Sequence, residues 1–166
     1  LGYRAIAITD ECSFAGIVRA HVAAQAVDIQ LLIGSEFRLQ EGTRFILIAK
    51  NRSGYGYIAN LISTARRRAP KGDYYLSYKH FVETESNCIA IWLPNTKALK
   101  ETQIKEIDWL KHYFENQVWL GVAQVLINHE SQQTHILKQL SRITTTPLVA
   151  ICSAHMHMNT RRMLRD

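Results

Sequence analysis

Short apolar runs of strand length alternate along the chain with longer stretches in which apolar residues recur every three or four positions. Residues 4–9 (RAIAIT) predict a strand that stops at Asp10-Glu11. Ser13 is the candidate N-cap of a helix over 15–27, with Ile17, Val18, Val22 and Ala24 on its apolar side. Strands are predicted at 31–37 (LLIGSEF) and 45–50 (FILIAK), then a helix over 53–68 that carries Tyr57, Ile58, Leu61 and Ile62 on one face. Proline and glycine make 69–77 (APKGDYYLS) a loop. A short helical turn over 80–85, a buried strand at 88–93 (CIAIWL) and a turn at Pro94-Asn95 come next. Between 96 and 115, Ile104, Ile107, Leu110 and Phe114 recur at helical spacing. A strand at 119–127, a helix at 131–143 and a strand at 147–152 (PLVAIC) complete the pattern. This order is that of an α/β protein with helices packed outside a mainly parallel sheet. Pattern alone leaves an open sheet and a barrel equally available.

Composition narrows the class. The 166 residues are 47% hydrophobic and 20% charged, enough apolar surface for one packed domain and too much for a disordered chain. No run approaches the roughly 18–20 apolar residues of a spanning helix. Cys12, Cys88 and Cys152 are an odd number without a pairing motif, which reads as small apolar core residues in a reducing cytoplasm. The net charge of +6 is regional: between residues 38 and 79 there are nine basic residues and two acidic ones, so that window carries +7 and the remainder −1. Such a window suits contact with a polyanion or an acidic partner, and equally a solubilising face.

In parallel α/β folds functional groups gather where strands end. That rule selects Asp10 and Glu11 after the first strand, Glu36 in the second, His129 and Glu130 after the fifth, and Ser153, His155 and His157 after the last. Carboxylates and imidazoles on one rim are metal-ligand chemistry. Each also has a structural reading: Asp10 as a turn former, Glu36 as one half of an ion pair with Arg38 or Arg44, and the two histidines as hydrogen-bonding elements. His21 and His112 fall within predicted helices. Gly54 and Gly56 in NRSGYGY are too few glycines for a phosphate loop. The run Arg66-Arg67-Arg68, followed by Lys71 and the pair Tyr74-Tyr75, is either a solvated helix end favoured by the helix dipole or a phosphate-binding and base-stacking surface.

Several stretches carry a resemblance: RAIAITDECSFAGIVRAH (4–21), IGSEF (33–37), LIAKNRSGYGYIANL (47–61), RRRAPKG (66–72) and LVAICSAHMHMNTRR (148–162). Together they resemble the amino-terminal polymerase and histidinol phosphatase (PHP) domain of bacterial error-prone DNA polymerases, relatives of the DNA polymerase III alpha subunit. The resemblance runs over residues 1–166 and implies a distorted seven-stranded (β/α)7 barrel with a metal site at its C-terminal rim, holding divalent zinc or manganese where intact. The family's first His-x-His motif would lie before Leu1. The chain is therefore expected to be an excised piece lacking the first strand, with an open edge that favours self-association, and lacking the polymerase domains that would follow Asp166.

Residue by residue, the implied ligand set is broken. Thr9-Asp10-Glu11 stands where the family has Thr-Asp-His, Glu36 matches the bridging carboxylate, Arg44 occupies a histidine position, and Ser153-Ala154-His155 replaces Asp-x-His. The weak ligand candidates are thus Asp10, Glu11, Glu36 and His155, with Arg44 and Ser153 as substituted positions. A neutral hydroxyl is a poor ligand for zinc-type ions, and a guanidinium repels them. The expectation is a non-catalytic module with no resident metal, in a parent DNA-directed polymerase of DNA repair and translesion synthesis. The alternative is a metal-dependent phosphoesterase or 3′–5′ exonuclease. Arg66, Arg67, Arg68, Lys71 and Tyr74 are the candidates for contact with DNA or a neighbouring domain. Sliding-clamp or mutasome proteins would be reached through other parts of the polypeptide, and no membrane is involved.

Overall fold

The computed structural model describes residues 2–81, 86–123 and 132–151. Six strands form one curled sheet in the order β1-β2-β3-β4-β5-β6. They are β1 (Ala5–Ile8), β2 (Gln30–Arg38), β3 (Arg44–Ala49), β4 (Cys88–Trp92), β5 (Val118–Ala123) and β6 (Leu148–Ile151). The helices are α1 (Ile17–Ala26), α2 (Arg52–Arg67), α3 (Lys100–Tyr113) and α4 (Gln132–Thr144). β1–β2, β4–β5 and β5–β6 pair in parallel, whereas β3 runs antiparallel to both neighbours. The mainly parallel sheet expected from the pattern therefore has one reversed strand. Residues 39–43 are too short for a crossover helix and turn the chain back as a hairpin, with Gly42 at φ +102°.

The helix-covered face holds the core. Phe37, Phe45, Leu47, Ala90, Trp92, Val118 and Leu120 of the sheet pack with Ile58, Leu61 and Ala65 of α2, Ile107 and Leu110 of α3, and Leu137 and Leu140 of α4. Trp109 lies among the rings of Phe45, Tyr78, Phe81 and Phe114. On the opposite face β2 and β3 approach so closely that Gly34 is required, whereas Gly121 is crowded only by side chains. An added Cβ at Gly34 would lie 2.4 Å from the Leu47 carbonyl oxygen, and one at Gly121 would lie 2.8 Å from Leu93 Cδ2.

Four expectations need correction. α1 starts at Ile17 behind Gly16, not behind Ser13, whose hydroxyl accepts instead from the Ala15 N–H at 3.1 Å within the preceding turn. Its Val18 and Val22 are 75% and 62% exposed, so only Ile17 and Ala24 are buried. On α3 the buried face is turned by one position: Gln103 and Glu106 are buried beside Ile107 and Leu110, while Ile104 is 40% exposed. Gly54 and Gly56 lie inside α2, within the helix expected over 53–68; Asn51 caps that helix, its Oδ1 accepting from the Gly54 N–H at 3.0 Å. The turn expected over 80–85 forms earlier, as a 3-10 turn over Tyr78–His80, and residues 82–85 are outside the described part.

Candidate functional site

Strand direction defines the site. β1, β2, β4, β5 and β6 all run the same way, so their C-terminal ends, at Ile8, Arg38, Trp92, Ala123 and Ile151, share one rim with the start of β3 at Arg44. Asp10, Glu11, Glu36 and Arg44 are brought together there. His129, Glu130, Ser153, His155 and His157 lie outside the described residues.

The β1–β2 ladder continues beyond β1 as an isolated parallel bridge between Glu11 and Glu36. The Glu36 N–H donates to the Asp10 carbonyl at 3.2 Å and the Cys12 N–H donates to the Glu36 carbonyl at 2.8 Å. Ser35 locks the same segment: its hydroxyl donates to the Asp10 carbonyl (2.8 Å) and accepts from the Ser13 N–H (3.2 Å). Paired residues share a face of a sheet, so Glu11 and Glu36 present adjacent carboxylates at the rim. Two like charges so placed need counter-partners.

Each has one. Glu36 sits opposite Ile46, and Arg38 opposite Arg44, so Arg44 is the diagonal same-face neighbour of Glu36. Its Nη2 and Nε donate to Glu36 Oε1 at 2.6 and 3.2 Å. Of the two cations the sequence offers Glu36, Arg44 is the one that pairs with it. The Glu11 carboxylate accepts from the Tyr74 hydroxyl at 2.7 Å, and that hydroxyl accepts in turn from the Arg38 N–H at 2.9 Å. Burial, then the bond to Glu11, raises the Tyr74 pKa well above the ordinary phenol range, so the hydroxyl keeps its proton. The Asp10 carboxylate faces Gly16 at the start of α1; a Cβ on Gly16 would lie 3.6 Å from Asp10 Oδ2. Among the described residues no group of three histidine, cysteine, aspartate or glutamate side chains is placed to hold a metal ion.

Arg66 at the end of α2 is drawn into this rim. Its Nε donates to the Cys12 carbonyl (3.1 Å), its Nη2 to the Glu11 carbonyl (3.3 Å), and its Nη1 to the Gly72 and Asp73 carbonyls (3.1 and 3.2 Å). The guanidinium also lies 5.5 Å from the centre of the Tyr74 ring. Arg67 donates from Nε to the Ser63 carbonyl at 3.2 Å, and Arg67, Arg68 and Lys71 are exposed. Cys12 and Cys88 are buried, and burial pushes their thiols up to about 11 and about 12, where they are protonated and unreactive. Sequence reasoning missed Ser35 and the two-way hydroxyl of Tyr74. Both act on backbone groups that come together only through the β1–β2 register.

The PHP domain family matches residues 1–137. The error-prone DNA polymerase of Methylococcus capsulatus is 42% identical over 168 aligned residues, covering 100% of this chain and 16% of that protein. That of Pseudomonas aeruginosa is 40% identical over 166 residues, again covering 100% of the chain and 16% of the relative. The chain thus spans about a sixth of the length of these relatives. Among solved structures, a candidate metal-dependent phosphoesterase from Bifidobacterium adolescentis shares the fold, with a TM-score of 0.56 and 12% identity over 90% of this chain and 76% of that one. No helix of the described residues is long and apolar enough to cross a membrane.

Proposed function

The chain belongs to the PHP domain family, and from that premise we propose that it is the PHP domain of an error-prone DNA-directed DNA polymerase, acting as a non-catalytic module with a degenerate metal site. One observation carries the reading: the family's bridging carboxylate, Glu36, holds the guanidinium of Arg44 through two hydrogen bonds. A divalent ion there would have to displace a resident cation and then meet its positive charge, and the neighbouring Glu11 carboxylate is already engaged by Tyr74. The described residues do not fit the divalent site the family implies. The module contributes packing and a basic surface to DNA or a neighbouring domain. Nucleotidyl transfer, repair and translesion synthesis, clamp contacts and cytoplasmic location belong to the whole polypeptide.

Metal content of the purified chain, its melting temperature with added zinc or manganese, and phosphomonoester and single-stranded exonuclease assays test this reading. The expected results are substoichiometric metal, an unchanged melting temperature and no turnover. Stoichiometric metal together with turnover that disappears in Glu36→Ala would establish the metal-dependent hydrolase instead.

A further inference from the structure

We propose that the end of α2 and the loop after it form a contact face for the phosphodiester backbone of nucleic acid, built from Arg67, Arg68, Lys71 and Lys79 and excluding Arg66 and Tyr74. The three consecutive arginines look equivalent in the sequence and are not equivalent in the fold. Arg66 turns inward onto four carbonyl oxygens, and the Tyr74 hydroxyl is held between Glu11 and the Arg38 N–H. Neither is available to a ligand without opening the rim.

Arg68 and Lys79 come together, and Lys71 lies on the loop between them in the chain. The Tyr75 N–H donates to the Ala65 carbonyl at 3.0 Å, which brings the loop back to the helix end. Lys79 Nζ lies 5.9 Å from the centre of the Tyr75 ring, which is 36% exposed. His80, in contact with that ring, is pushed below its ordinary pKa first by burial and then by Arg68 and Lys79, with the Glu41 carboxylate acting weakly the other way. Arg67, Arg68, Lys71 and Lys79 are all exposed, and the one salt bridge among the described residues is Arg44–Glu36, so none of the four has a carboxylate partner there. The two acidic residues of this window are used locally: Glu41 accepts from the Ser77 hydroxyl, and Asp73 Oδ1 accepts from the Tyr74 N–H at 3.1 Å. The helix dipole accounts for a cation in the last turn of α2. It does not account for Lys71 or Lys79, which are outside the helix. Exposed cations without a carboxylate partner release counterions when phosphates replace them.

The choice of nucleic acid over an acidic protein rests on reading the chain as a polymerase domain. Lys50 and Arg52 supply an internal control, because they sit where β3 ends and α2 begins, at the opposite end of the sheet. Binding of a labelled single-stranded 20-mer to the full chain is measured by fluorescence anisotropy across a salt series. Arg68→Gln/Lys71→Gln is expected to weaken binding by about tenfold or more and to reduce the slope of log Kd against log salt by about 1.4, or ~0.7 per lost cation. Lys79→Gln should add its own increment, and Lys50→Gln/Arg52→Gln should leave both quantities unchanged. Equal losses in the two double variants, or none in either, overturn the proposal. Binding of poly-glutamate that depends on Arg68 and Lys71 while DNA binding does not would assign the face to an acidic protein. Retained metal with hydrolysis would overturn the non-catalytic reading while leaving any rim-dependent salt slope intact, so the two failures are distinguishable.

Discussion

Arg44 donates two hydrogen bonds to a single oxygen of Glu36 across the β2–β3 hairpin, at 2.6 and 3.2 Å, with the two side chains 43% and 22% exposed. The pair is half-buried, so its coupling exceeds that of a fully solvated bridge without approaching that of a buried one. A double-mutant cycle of Arg44→Ala and Glu36→Ala in urea should give a coupling energy of about 1 kcal/mol. It should shrink in 1 M salt, where screening acts within roughly 3 Å. A coupling near zero would show that solvent, not Arg44, neutralises Glu36.

Arg66 ties three backbone segments together at residues 11–12, 66 and 72–73. Its removal strips four carbonyls of their charged donor, that of Cys12 partly buried and those of Glu11, Gly72 and Asp73 exposed. Arg66→Ala should therefore cost about 1–2 kcal/mol, since water can replace the donor at the three exposed carbonyls, whereas Arg67→Ala, with one bond from an exposed side chain, should stay within about 0.5 kcal/mol. Lysine cannot reproduce a planar fork with donors in three directions, so Arg66→Lys should recover less than half of the loss. Equilibrium urea unfolding of the three variants checks the ranking.

The strands and α2 were legible because their apolar residues follow one period and their boundaries carry recognisable turn chemistry. α1 was harder to orient: IVRAHVAAQA is apolar on most of its circumference, so the sequence names no single inward face, and Val18 and Val22 end up outside. On α3, hydrophobic spacing favours Ile104, yet the fold buries Gln103 and Glu106 because each finds a partner, the Asn95 carbonyl at 2.8 Å and Trp92 Nε1 at 3.0 Å. At the rim, the charge on Glu36 predicts a counter-cation, and register then selects Arg44 over Arg38. The inward turn of Arg66 depends on carbonyls 54 and 55 residues away in sequence. No local pattern encodes it.

Glu106 gives the fold a pH dependence whose sign is set by burial. Its pKa is raised by burial, against the lowering effect of hydrogen bonds from Trp92 Nε1 and the Thr43 hydroxyl. The folded state thus holds the proton more tightly than the unfolded chain, whose value is about 4.3. The resulting stabilisation is complete below that value and is lost as pH rises through the folded value. Glu106→Gln keeps an acceptor for both donors and removes the titration. The variant should match the parent near pH 4 and become the more stable of the two as pH increases, with Trp fluorescence reporting unfolding. A constant difference between them at all pH values would assign the effect to packing.

Gly34 tests whether the backbone approach on the strand face opposite the helices is real, with Gly56 in α2 as its control. At Gly34 an added methyl group meets the Leu47 carbonyl at 2.4 Å and Ile48 Cδ1 at 2.6 Å; the side chain can rotate away, but the carbonyl is fixed by the β2–β3 ladder. The strands would have to separate. Gly34→Ala should cost about 2–4 kcal/mol and loosen the register that places Glu36 beside Arg44. At Gly56 the same methyl group meets nothing within 4 Å and joins a helix interior, so Gly56→Ala should stabilise by about 0.5–1 kcal/mol through lower backbone entropy in the unfolded chain. Thermal and urea unfolding of the two variants should therefore move in opposite directions. If Gly34→Ala were neutral, the strands would be farther apart than the hairpin requires, and the diagonal contact between Arg44 and Glu36 would lose its geometric basis.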